Sequence, residues 1–197
     1  MYIQNPSYVL GFHGLDEAIG RKILNGEDTL KHSTNDYDWL GHGVYFWENS
    51  PERAKQWAKT SSKRTASSVK KPFVIGAIID LGTCFDLLDK YWIDRLADAY
   101  EQLSLALQES GHAIPENQPW TKNDTDFKKR DLDCAVIRFA IQLAELDGIK
   151  IDSVRAAFWE GEPVYPGAGF RSHNHIQICV INIENCIKGV FIPQIQK

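Results

Sequence analysis

The segment 72–82, PFVIGAIIDLG, restricts the fold more than any other part of the chain. It is a continuous apolar run rich in β-branched residues. A run of that length and composition reads as a central strand, because both of its faces need apolar cover. Similar shorter segments flank it. SYVLGFHG (7–14) reads as a buried strand running into a turn, and GVYFW (43–47) as another strand. DSVRAAFWE (152–160) adds a strand, and HIQICVINIENCIKGVFIP (175–193) supplies one or two closing strands.

Helical patterns lie between them. Asp16 is placed to cap EAIGRKILNG, with Ala18, Ile19 and Ile23 on one face and Gly26 as the stop. Asn49 or Ser50 caps the helix after GVYFW, Pro51 fits its first turn, and Glu52 suits the positive end of its dipole. Trp92, Leu96, Tyr100, Leu103 and Leu107 recur at helical spacing, as do Leu132, Val136, Phe139 and Leu143. Residues 31–40, 110–126 and 161–174 are polar or Gly/Pro-rich and read as loops, and 59–71 as an exposed segment. Strands and helices do not alternate regularly enough for a doubly wound parallel sheet. The expectation is one α+β domain over 1–197, with a split antiparallel sheet, flanking helices and a helical insertion near 85–148.

Composition narrows the function. A hydrophobic fraction of 43% and a charged fraction of 24% fit a soluble globular protein. The net charge of −4 gives no global field toward nucleic acid or membrane. The local run Lys55, Lys59, Lys63, Arg64, Lys70 and Lys71 reads as a solvated segment, with a funnel for a nucleic acid acceptor as the alternative. Cys84, Cys134, Cys179 and Cys186 have no CxxC or zinc-ligand spacing, so reduced thiols and no metal are expected. The N-terminus lacks the pattern of a signal peptide, and no segment is apolar enough to span a membrane. The expected setting is the cytoplasm.

No GxGxxG follows a strand, and P-loop, HExxH and GxSxG motifs are absent. What remains is GFHG (11–14), followed about thirty residues later by GHGVYFWENSPERA (41–54). In order and separation these resemble the first two motifs of the ADP-ribosyltransferase superfamily, in its diphtheria-toxin and poly(ADP-ribose) polymerase branch. The resemblance covers nearly all of the chain outside the helical insertion. It implies the ADP-ribosyltransferase-like split sheet, NAD as a consumed substrate, and transfer of ADP-ribose to a macromolecule, protein or nucleic acid. It further implies a bacterial toxin of a toxin–antitoxin or phage-defence system, with an antitoxin as a possible partner. A non-catalytic module that binds NAD or ADP-ribose, and an NAD glycohydrolase, are the rival readings.

The resemblance also implies residue roles. Gly14 offers backbone groups to the nicotinamide carboxamide, and His13 bonds a ribose hydroxyl of the adenosine half. Tyr45 stacks on the nicotinamide, Trp57 stands near the second wall, and Ser50 assists the carboxamide. Strand alternation puts Trp47 on the face of Tyr45 and Phe46 on the other, so Trp47 borders the same site. The bland alternative makes His13 a turn histidine, and Tyr45 and Trp57 core. HIQICVIN resembles the family's third strand without its glutamate. His175 and Gln177 share one face there. Gln177 can bond a ribose hydroxyl but cannot act as a base, which favours single ADP-ribose transfer over polymer synthesis. His175 can serve as a base. Glu160 or Glu162 is a further source of the missing carboxylate, although such loop charges are commonly solvated.

Overall fold

The computed structural model describes residues 8–119 and 128–194. The apolar run forms β3 (Pro72–Ile79), which pairs antiparallel with β1 (Val9–Asp16) over eight residues. On its other side β3 pairs with β9 (Ile187–Phe191). β2 (Val44–Glu48), β8 (His175–Val180), β7 (Ser153–Phe158) and β4 (Cys84–Asp86) extend the sheet in the other direction. The order is β4-β7-β8-β2-β1-β3-β9, and the β4–β7 pair alone among these is parallel. The architecture is therefore α+β around one seven-stranded mixed sheet. β3 is interior but next to the edge strand, and β2 holds the centre.

Alternation decides which side chains meet. Phe46 is fully buried on one sheet face with Val44, Ile75, Ile79 and Ile178. On the opposite face, α2 (Pro51–Ser62) lies over Phe12, Trp47 and Val74. α3 (Lys90–Glu109) and α4 (Asp131–Leu146) cover Val154, Ala156 and Cys179 on that same face. Two blocks of helix thus share one face and leave a trough between them.

The strands under the trough part early. β1 and β2 pair only at Gly11↔Glu48 and Phe12↔Trp47. Beyond those pairs the His13 ring bonds the Tyr45 carbonyl at 2.7 Å.

Several expectations shift in detail. Asp16 does cap α1 (Glu17–Leu24) by accepting from Ala18 N, and Gly26 ends it at φ 75°. The buried face of α1 is Gly20 and Ile23, with Ile19 exposed, because Gly20 lets Phe73 of β3 approach closely. Ser50 holds the cap position of α2 without a capping hydrogen bond from its side chain. α2 runs on to Ser62, so part of the segment expected to be exposed is helix. The stripe of α4 is rotated toward Val136, Ile137, Ala140 and Ala144. The region 85–148 is not purely helical: β4 overlaps its start, and β5 (Asn117–Gln118) pairs with β6 (Lys129–Arg130). Of the loop expected at 110–126, residues 120–126 lie outside the described residues. α5 (Ile183–Cys186) is a single turn between β8 and β9. All four cysteines are free. Burial pushes the Cys84 thiol up to about 12 and the Cys134 thiol up to about 11, so both are unreactive at neutral pH. No helix among the described residues is long and apolar enough to cross a membrane.

One ion cluster ties the sheet together across strands. Arg155 of β7 bonds both carboxylate oxygens of Glu48, at 2.6 and 3.0 Å, and Asp86 of β4 at 3.1 Å. All three side chains are largely buried. Removing the guanidinium would leave two carboxylates without their counter-charge. Arg155→Ala should therefore cost about 3 kcal/mol of unfolding free energy, read as a lowered urea midpoint.

Candidate functional site

The trough closes into a cavity of about 380 Å³. Its floor is sheet: His13 and Gly14 from β1, Tyr45 and Trp47 from β2, and Gln177 from β8. One wall is α2, through Arg53 and Trp57. The facing wall is the loop before β2, through Ser33, Asn35, Asp38 and Trp39. Glu160 closes one end from the loop after β7. The floor follows from alternation: Tyr45 and Trp47 face the trough because Phe46 goes to the opposite core.

A larger cavity, of about 610 Å³, lies between α3, α4 and β7 and shares Trp39 with the first. Its lining is mostly apolar. Its charged groups among the described residues, Arg130 and Asp133, bond each other at 2.9 Å. The chemistry-bearing groups are concentrated in the smaller one.

Each floor residue is fixed in a definite state. The Tyr45 hydroxyl donates to Gly41 O at 2.7 Å and accepts from Leu40 N at 2.8 Å. Burial raises its pKa far above the ordinary range, so the phenol stays neutral and its ring is held still. His13 Nδ1 sits 2.7 Å from Tyr45 O. A carbonyl oxygen only accepts, so Nδ1 carries the proton. Burial lowers the His13 pKa, opposed by that same bond, so the ring is neutral and Nε2 is an acceptor.

Gly14 has two reasons to lack a side chain. It lines the cavity, and a Cβ there would stand 2.4 Å from the backbone oxygen of Ala54 and 3.2 Å from the Ala58 side chain. The close packing of α2 on β1 requires glycine whether or not a ligand binds.

Gln177 is buried in register with Trp47 on one side and Ala156 on the other. Trp47 and Trp57 pack at a ring separation of 5.9 Å and an angle of 47°, and Trp57 remains 39% exposed at the rim. Ser50 is not among the cavity's lining residues.

His175 shares the face of Gln177 but is sealed in. Its side chain is 1% exposed, and its ring stacks on Phe158 at 5.4 Å. Nδ1 lies 2.7 Å from His173 O, so it donates there. Burial is the main cause that lowers its pKa. Nε2 is buried without a hydrogen-bond partner among the described residues. The structure thus packs the His175 imidazole against Phe158 behind the floor, and His175 is not among the cavity's lining residues.

Two lining groups escaped the sequence reading or were weighed lightly in it. Arg53 was missed. It stands one helical turn before Trp57, so the i, i+4 spacing was the available signal. Glu160 is the other. Arg53 donates to Glu160 at 2.9 Å, and both side chains are under one-fifth exposed. Glu162 is exposed and is not among the cavity's lining residues. Among the described residues the lining carries four basic groups, Lys31, Arg53, Arg64 and Lys128, against two acidic ones, Asp38 and Glu160. The cavity is thus locally basic in an acidic chain. Of the basic run at 55–71, Arg64 alone lines it. No cluster of metal-ligating residues occurs among the described residues.

Comparison with family models, curated proteins and solved structures finds no match to this chain.

The two neutral histidines make stability pH-dependent. Each has a folded-state pKa below its ordinary 6.5. Below about pH 6.5 the unfolded chain takes up protons that the folded chain refuses. This stability is complete above that pH and is lost as pH falls through it. The urea midpoint should decline between about pH 7 and pH 5.5, and decline less steeply in His175→Gln.

Proposed function

We propose that this protein is an NAD-dependent mono-ADP-ribosyltransferase acting on a macromolecule. One observation carries the reading: His13, Gly14, Tyr45, Trp47, Trp57 and Gln177 border one cavity at the place where β1 and β2 part. Its volume of about 380 Å³ falls in the range of small-molecule sites, ~300–1,000 Å³. The excess of basic lining groups suits a ligand with a pyrophosphate.

The chemistry asks for a flat platform, an anchored sugar and stabilisation of developing positive charge. Cleavage of the nicotinamide–ribose bond passes through an oxocarbenium-like ribose, as glycoside hydrolysis does. A rigid tyrosine ring offers the nicotinamide a stacking surface at no ordering cost when the substrate arrives. The acceptor nitrogen of neutral His13 matches a ribose hydroxyl as donor. The Gly14 backbone is close enough to the floor to meet a carboxamide. Gln177 bonds ribose hydroxyls and draws the sugar toward the acceptor. NAD is consumed as substrate, and the acceptor is protein or nucleic acid. The setting that accords with this activity is a bacterial cytoplasmic toxin of a toxin–antitoxin or phage-defence system, with an antitoxin as partner.

A second reading has an observation of its own. β8 presents Gln177 where a transferase of this kind carries a carboxylate, which favours a module that binds NAD without cleaving it. Nicotinamide release separates the two readings. Incubation of the protein and a cell lysate with NAD labelled in its adenosine half should then attach label to a macromolecule. Protease or nuclease treatment names the acceptor class. Free ADP-ribose as the sole product makes the enzyme a glycohydrolase. His13→Ala should reduce nicotinamide release at least ~100-fold, and Gln177→Ala ~10-fold. Full activity in both variants rules out this cavity as the site.

A further inference from the structure

Among the described residues no carboxylate stands on the floor of the cavity, and its one lining imidazole, His13, has its Nε2 assigned to a ribose hydroxyl. Gln177 is an amide, and His175 is sealed behind it. Two carboxylates of the described residues line the same space: Asp38, whose oxygens accept from Asn35 N at 2.9 Å and Asn35 Nδ2 at 3.3 Å, and Glu160. The position of Glu160 is built by the loop between β7 and β8. His173 N donates to Glu160 O at 3.0 Å, and Ser172 N donates to Glu162 O at 2.9 Å. Arg171 donates to Gly161 O at 3.3 Å and lies over the Trp159 ring at 4.3 Å. Gly161 has φ 89°, and a Cβ there would stand 2.5 Å from Ser172 Oγ. This glycine lets the chain turn so that Glu160 goes inward while Glu162 stays outside.

The inward carboxylate is oriented rather than loose. Arg53 Nη2 bonds Oε2 at 2.9 Å, and Arg53 is itself braced by Gln56 Oε1 at 2.9 Å. His175 Nδ1 stands 3.8 Å from the same oxygen. Oε1 accepts no hydrogen bond among the described residues and is the acceptor left for a ligand. Around this corner, Trp47 Nε1 and Arg53 Nε are buried without a hydrogen-bond partner among the described residues. Buried polar groups ordinarily are paired, so two orphaned donors beside an oriented carboxylate describe a polar corner built for a ligand.

We propose that Glu160 is the catalytic base of this cavity, oriented by Arg53, and does the proton transfer that Gln177 cannot. The assignment rests on the reading of the cavity as an NAD site. The ribose C1′–N bond breaks with its electron pair moving to nicotinamide, which leaves neutral. The acceptor's oxygen or nitrogen forms the new bond to C1′, and its proton passes to Glu160 and then to water. Atoms and charge balance without a further reactant, and with water as acceptor the same step is hydrolysis. Arg53 is a positioning residue for Glu160.

The test compares Glu160→Gln, Glu160→Asp and Glu162→Gln with wild type. NAD binding is measured by calorimetry, and nicotinamide release at saturating NAD, with and without cell lysate. Glu160→Gln should bind NAD at least as tightly as wild type, since a negative charge is removed beside an anionic ligand, and this binding also reports that it folds. Its nicotinamide release should fall ~100-fold. Glu160→Asp, which keeps the charge on a shorter arm, should recover part of the loss if the carboxylate acts chemically. Glu162→Gln should match wild type. Wild-type release by Glu160→Gln overturns the base assignment and leaves the NAD reading standing. A wild-type protein that binds NAD without cleaving it overturns the base and favours the binding module. One that neither binds nor cleaves NAD overturns both.

Discussion

The early end of the β1–β2 ladder is the constraint on which the candidate site depends. Two residue pairs join these strands. After that, a side chain takes over from the backbone, with the His13 ring bonding the Tyr45 carbonyl. A strand edge left open inside a sheet would expose unsatisfied polar groups. Here the imidazole satisfies one of them and at the same time fixes its own tautomer. The parting of the strands, the neutral histidine and the half-buried Tyr45 ring that lines the cavity are therefore linked.

The helices above the sheet convert that parting into a cavity. α2 sits as low as glycine at position 14 permits, with the Ala54 backbone where a Cβ would be. α3 and α4 cover the other half of the same face. The space between is bounded by groups with little freedom: a phenol held at both lone pair and proton, a buried amide, and a carboxylate gripped by arginine. Rigid polar groups aimed at one space are what preorganised binding or catalysis requires. The charge balance of the lining is the reverse of that of the chain, which shows why net charge is a poor guide to a local site.

Glycine 14 illustrates how one residue can carry two explanations. Sequence reasoning tied it to a ligand's close approach. The structure adds a packing demand that would require glycine even in a protein that bound nothing. The distinction matters for interpreting variants: Gly14→Ala would displace α2 and with it Arg53 and Trp57, so loss of activity there would not locate a ligand. His13 and Gln177 are cleaner probes because their side chains, rather than their absence, meet the cavity.

Local pattern determined a good deal of this. The apolar run of β3, the Asp16 cap of α1 and the alternation that separates Phe46 from Tyr45 and Trp47 were all legible, because each depends on neighbours within a few residues. The candidate floor residues His13, Gly14 and Tyr45 came instead from the family resemblance of GFHG and GHGVYFWENSPERA, and alternation added only that Trp47 shares the side of Tyr45. What tertiary structure decided was access and partnership. His175 and Gln177 are equivalent by alternation, yet the Phe158 ring seals one and the trough receives the other. Arg53 and Glu160 are 107 residues apart, and nothing in either local sequence specifies their meeting. The stripe of α4 and the position of β3 one strand from the edge likewise came from packing. Periodicity fixes which side of an element a residue occupies; only the assembled layers decide whether that side faces a cavity, a core or water.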